Sequence, residues 1–180
     1  GCGGSAISPP TMRSALLAFL FSLQAVLASP AAERPLLRDF MGINGHYHFR
    51  PVLYRPTSSL VRNYHPMPWD IGDDGAAEPQ LPLSRMQIDA GPVDWEKLYG
   101  SWKAEGYRID ASLQFEFIQP GKWRDMAGSL RGYGRSFASA LGPSSSAALV
   151  EAVEIGNEPA DYDDATYRAV FENLAKGLRE

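Results

Sequence analysis

Near the end of the chain an apolar run, Val150 to Gly156 (VEAVEIG), stops at Asn157-Glu158-Pro159. A carboxyl group at the mouth of a buried strand can move protons, because partial desolvation and a neighbouring carboxylate raise its pKa towards the range a general acid needs. Pro159 cannot continue a strand ladder, so it ends the run and fixes the direction of the chain beside Glu158. Period-2 alternation puts Glu154 on the same side as Glu158 but one layer deeper. A carboxylate buried there needs a partner, and Arg62 is the candidate. The structural use of Glu158 would be to cap the helix that begins near Asp163. Other polar side chains collect where apolar runs stop: His46 and His48, Asn63 with His65, and Glu116. Three imidazoles invite a metal, but no Asp or Cys completes a recognisable ligand spacing, so neither a metal nor another cofactor is expected.

Those residues need elements to hold them. FMGIN, SLVRNYH, YRIDASLQFEFI and VEAVEIG read as four strands. Asp70 to Pro92, rich in Pro, Gly and Asp, reads as a long surface loop. DWEKLYGSWKAEG sets Trp95, Leu98, Tyr99 and Trp102 at helical spacing, with Asp94 as N-cap and Gly106 as stop. A second helix carries Met126, Leu130, Tyr133, Phe137 and Leu141, and a third Ala165, Tyr167, Val170, Phe171, Leu174 and Leu178. Strands alternating with helices imply an α/β fold with parallel strands, as an open sheet or a closed barrel. No GxGxxG or GxxxxGK[ST] turn follows any strand, which removes the usual nucleotide signal of the open sheet. Nor is there a GxSxG nucleophile elbow.

At 180 residues and 44% hydrophobic, the chain has apolar content enough for a core. A net charge of -4 without basic blocks gives a nucleic acid no electrostatic footprint. Met12-Arg13, the run ALLAFLFSLQAVL and the small residues ASPAA form a secretory signal pattern over 12–28, so the mature chain is expected to start near Ser29 and to be secreted or periplasmic. The apolar run is shorter than the ~20 residues that span a bilayer, so no stable membrane anchor is expected. Residues 1–11 read as an upstream extension and hold the only cysteine, Cys2. The mature chain would therefore have neither disulfide nor thiolate chemistry.

The hexapeptide Glu154-Ile155-Gly156-Asn157-Glu158-Pro159 resembles the fourth-strand motif of clan A glycoside hydrolases, retaining barrel glycosidases of the kind found in families 39, 79 and, more distantly, 5. Ser59 to His65 is similar to the second strand of that clan. The resemblance implies a (β/α)8 barrel in which Glu158 is the general acid/base and Asn157 hydrogen-bonds the sugar 2-hydroxyl. Carbohydrate is then the expected partner, with His46, His48, Asn63, His65 and Trp69 as further substrate contacts and Arg62 and Glu154 as support. Tyr47, Tyr64 and Trp123 could stack on sugar faces. A full barrel takes eight strands and ~250 residues, whereas four strands are countable, so 33–180 is expected to be the N-terminal half of a longer barrel. The clan's nucleophile, a glutamate ending the seventh strand, would lie beyond Glu180, leaving the piece inactive alone. The competing expectation is an exported carbohydrate-binding or catalytically inactive barrel protein.

Overall fold

The structure, a computed structural model, describes residues 36–48, 50–88 and 91–180. The upstream extension 1–11 and the signal segment 12–28 lie outside the described residues. In chain order the strands are β1 (Gly42–Gly45), β2 (Leu60–Pro66), β3 (Leu83–Ile88), β4 (Gly91–Asp94), β5 (Arg108–Gln114) and β6 (Ala152–Ile155). The helices are α1 (Pro68–Ile71), α2 (Trp95–Ala104), α3 (Met126–Leu141) and α4 (Asp164–Arg179).

The four strands expected from sequence form one parallel sheet in the order β1-β2-β5-β6. Long crossover connections permit this arrangement, since a tight turn cannot join parallel strands. Alternation divides the sheet into two chemical faces. Val61, Ile109, Ala111 and Leu113 are all but fully buried, in one core with Trp95, Tyr99, Trp102, Leu130, Tyr133 and Phe137 from α2 and α3. The opposite parity is polar: the register aligns Asn44, Arg62, Asp110 and Ala152 in one row and Tyr64, Ser112 and Glu154 in the next.

The helices start where their caps say they should. The Asp94 carboxylate accepts the Lys97 N–H at 2.9 Å, and α2 stops before Gly106, whose φ is +87°. Asp163 accepts the Thr166 N–H at 2.7 Å and opens α4. α3 and α4 approach closely through glycines: a Cβ on Gly134 would meet the Leu174 carbonyl at 2.7 Å, and one on Gly177 would collide with the Arg131 carbonyl. This approach decides which side of α4 is inside. Val170, Leu174 and Ala175 are buried, whereas Phe171 and Ala165, which the spacing included in the apolar face, are exposed.

The stretch from Asp70 to Pro92 is not a plain loop. It contains the end of α1 and most of an antiparallel hairpin, β3 against β4. The hairpin escapes pattern reading because the only fully buried residue of β3 is polar: Ser84 accepts the Val93 N–H at 3.1 Å and donates to the Met86 carbonyl at 3.2 Å. There is no apolar alternation to detect.

Candidate active site

The chain past β6 is held turn by turn. Gly156, at φ +84°, donates its N–H to the Leu113 carbonyl at 2.9 Å, and the Asn157 N–H donates to Glu116 Oε1 at 2.9 Å. The Ala160 N–H then donates to the Glu158 carbonyl at 2.7 Å. Glu158 thus lies three residues beyond the last strand residue, Ile155, rather than at the strand end that the sequence suggests. Its φ of +55° is left-handed, which costs a non-glycine residue roughly 1–2 kcal/mol. The side chain is exposed and does not cap α4, a task Asp163 performs. Gly156 has no freedom to become alanine: its Cβ would sit 2.5 Å from Phe115 Cε1 at a φ that L side chains rarely adopt. Gly156→Ala should destabilise the fold by more than about 1 kcal/mol and shift the Asn157 and Glu158 amide resonances. Unchanged melting and amide shifts would contradict this account of the turn.

Arg62 connects the polar face of the sheet to this turn. Its guanidinium pairs with the Glu154 carboxylate, Nε donating to Oε2 at 2.6 Å. Nη2 donates to Ser112 Oγ at 3.0 Å and to Asn157 Oδ1 at 3.1 Å, and the group lies 4.8 Å over the Tyr64 ring. Burial works against the charge, yet the hydrogen bond and charge of Glu154 with help from Tyr64 outweigh it, holding the Arg62 pKa above its usual value. With Oδ1 engaged, the Asn157 amide is oriented and its two Nδ2 hydrogens make no bond within the described residues. They are donors ready for a ligand oxygen.

Glu116, which the sequence presents only as a polar strand end, lies on the turn after β5. Burial raises its pKa to about 7 and Glu154 adds to the rise, against the lowering by backbone N–H groups, including that of Asn157, and by Arg62. Oε2 is buried without a partner. A carboxyl whose folded pKa is raised binds more protons folded than unfolded, so its contribution to stability falls as pH rises from the ordinary carboxylate range to about 7. Glu116, Glu158, Asn157, Asp161, Gln114 and Phe117 line a hollow of about 280 Å³.

Gln114 and Phe117 also line a second hollow of about 370 Å³, with His46, Tyr47, Tyr64 and Trp69. His46 and His48 are exposed and stack at 5.8 Å, His46 lies 5.1 Å from Tyr64, and Tyr47 lies 6.0 Å from Trp69. Both hollows open at the C-terminal edge of the parallel sheet, where open α/β sheets and α/β barrels place their ligands. The larger hollow of about 560 Å³ around Arg38, Asp39, Arg55 and Glu105 is at the opposite edge, where its charged side chains are taken up in two exposed ion pairs.

Two residues expected to touch substrate are turned away from both hollows. Asn63 and His65 share the parity of Val61 and are fully buried, so neither can meet a ligand from solvent. Asn63 Nδ2 donates to the Gly45 carbonyl at 3.1 Å, which leaves Oδ1 to accept the Tyr99 hydroxyl at 2.6 Å. The single proton of Tyr99 is thereby used, and His65 Nδ1, 2.8 Å from that hydroxyl oxygen, must donate to it. His65 Nε2 lies 2.7 Å from Asp70 Oδ2, which also accepts from Tyr133 at 2.8 Å, and Trp95 Nε1 donates to Asp70 Oδ1 at 3.0 Å. Donor counting therefore places a proton on His65 Nδ1, and one further proton lies between Nε2 and Asp70 Oδ2, with Trp95 stacked 4.0 Å away. Trp123 is committed to the scaffold as well, donating to the Tyr162 hydroxyl at 2.7 Å.

Among the described residues no group of three or more His, Cys, Asp or Glu is arranged to hold a metal ion, and no helix is long and apolar enough to cross a membrane. Compared with known proteins, the chain matches no family model, no curated protein and no solved structure.

Proposed function

We propose that the chain carries the acid/base half of a retaining glycosidase site, with Glu158 as the group that protonates the glycosidic oxygen and later deprotonates water. The observation that carries this reading is Glu158 itself: a non-glycine residue held at positive φ, exposed beside a second carboxyl whose pKa is about 7, with no structural task. Strained backbone clusters at functional positions, and here the bonds at Gly156, Asn157 and Ala160 hold it in place at a carboxylate. Asn157, oriented by Arg62, offers its Nδ2 hydrogens to a sugar 2-hydroxyl. Tyr47, Trp69 and Phe117 supply rings for the apolar faces of neighbouring sugar units. The barrel form is favoured by the sheet's two faces, since parallel strands are ordinarily covered on both sides, and Arg62, Ser112 and Glu154 lie in adjacent rows of the face opposite the helices. Export to a secreted or periplasmic location belongs to the same reading, resting on the segment 12–28.

The test is Asn157→Ala in the full-length gene product. It should lower kcat/KM for alkyl and activated aryl glycosides by the same factor, because the 2-hydroxyl contact serves every sugar alike, and should leave 2-deoxyglycosides unaffected. Saccharide binding without turnover of any glycoside by the unsubstituted protein would leave a carbohydrate-binding protein instead.

A further inference from the structure

The glycosidase reading gives chemical roles to Glu158, Asn157 and Arg62 and takes Glu116 only as a neighbouring carboxyl, although Glu116 makes the contact that holds the turn. Its bond goes to the main chain of Asn157, so it fixes backbone rather than a side-chain rotamer. One residue further on, Glu158 takes the left-handed conformation, and one residue back Gly156 does too. Between two such residues, the Asn157 N–H is the natural point at which to clamp the peptide. Arg62 clamps the same residue from the other end, through Oδ1 at 3.1 Å.

We propose that Glu116 is a positioning residue for that site: its carboxylate grips the Asn157 N–H, sets where the Glu158 carboxyl is presented to a bound glycoside, and grips harder once ionised. A charge-assisted hydrogen bond is shorter and roughly twice as strong as a neutral one, so ionisation tightens the clamp. The charged neighbours are arranged so that this happens near neutral pH. Arg62 from β2 favours the anion, Glu154 from β6 opposes it, and burial opposes it most, which places the transition at about 7. Glu158 and Asp161 share the hollow and Tyr162 lies on the same turn, so all three belong to the field the carboxyl meets. The backbone N–H groups of Glu116 and Asn157 favour the anion as well, while Oε2 is buried without a hydrogen-bond partner.

The proposal rests on the glycosidase reading for its purpose but not for its test. In the whole chain, the Asn157 amide proton should move downfield through one transition centred near pH 7. In Glu116→Gln, which keeps the shape and an oxygen acceptor, that transition should vanish. In the full-length gene product, the same substitution should lower kcat for alkyl glycosides well above the transition without changing KM, and should change neither well below it. Glu116→Ala should lower kcat on both sides of the transition. An Asn157 amide that does not titrate, or that titrates alike in Glu116→Gln, overturns the proposal. A titrating amide that loses its transition in Glu116→Gln, in a protein that hydrolyses no glycoside, upholds the clamp and rejects the glycosidase reading instead.

Discussion

Glu158→Ala in the full-length gene product is expected to slow hydrolysis of alkyl glycosides by roughly 10²- to 10⁴-fold more than hydrolysis of activated aryl glycosides, the range that general acid assistance supplies. An alkoxide leaves poorly and needs a proton as the bond breaks, whereas a nitrophenolate leaves without one. The second half of the reaction needs a base to deprotonate water, so the variant should stall as a glycosyl-enzyme. Azide attacks without a base and should restore turnover of the aryl substrate, giving a glycosyl azide of retained configuration. The substitution isolates chemistry cleanly because the Glu158 side chain is exposed and makes no hydrogen bond within the described residues, so stability should change by less than about 0.5 kcal/mol. Equal losses on both substrate types with no azide product would reduce Glu158 to a surface carboxylate on a strained turn.

Parity explains most of what the sequence disclosed about this site and most of what it concealed. The four parallel strands were legible because each apolar run is bounded by turn residues, and the helices because Asp94 and Asp163 mark their starts. The pairing of Arg62 with Glu154 could be anticipated, since both sit on the polar side of neighbouring rows. The same parity should have separated Arg62 from its neighbours in sequence. Val61 faces the helices, and Asn63 and His65 follow it two and four residues later, so they enter the core rather than the mouth. Glu116 was harder to place. β5 ends at Gln114 and a turn of 3-10 helix re-aims the next three residues, so strand alternation no longer says where Glu116 or Phe117 goes. Asp70 was illegible for another reason: its partners Trp95 and Tyr133 lie 25 and 63 positions further on, and no local pattern announces a contact at that separation.

That buried aspartate carries the largest stability effect expected in the molecule. Asp70 is wholly inaccessible, accepts from Trp95 and Tyr133 and bonds His65 Nε2, three partners from three elements. Burial, together with the Asp70 charge, pushes the Tyr99 and Tyr133 hydroxyls well above their usual pKa, so both keep the protons the network needs. Asp70→Ala removes the shared carboxyl at once and leaves His65, Trp95 and Tyr133 without their buried partner. Removing one member of a buried pair costs about 3–5 kcal/mol, a large part of the roughly 5–15 kcal/mol by which a domain is stable. The urea midpoint should fall accordingly with an unchanged slope, and Asp70→Asn, which retains one acceptor oxygen, should fall between the two. Asp74→Ala is the contrast, since its pairing with Arg124 is largely exposed and should be worth about 1 kcal/mol at most. The loss should reach the aromatic hollow as well. Trp69 stacks on Trp95 at 6.0 Å, and Trp95 is oriented by its bond to Asp70. If the proposed glycosidase reading holds, saccharide affinity should therefore weaken in Asp70→Asn although no residue at Glu158 has changed. An Asp70→Ala chain as stable as Asp74→Ala would show that the network is satisfied some other way and that the donor count assigned to His65 is wrong.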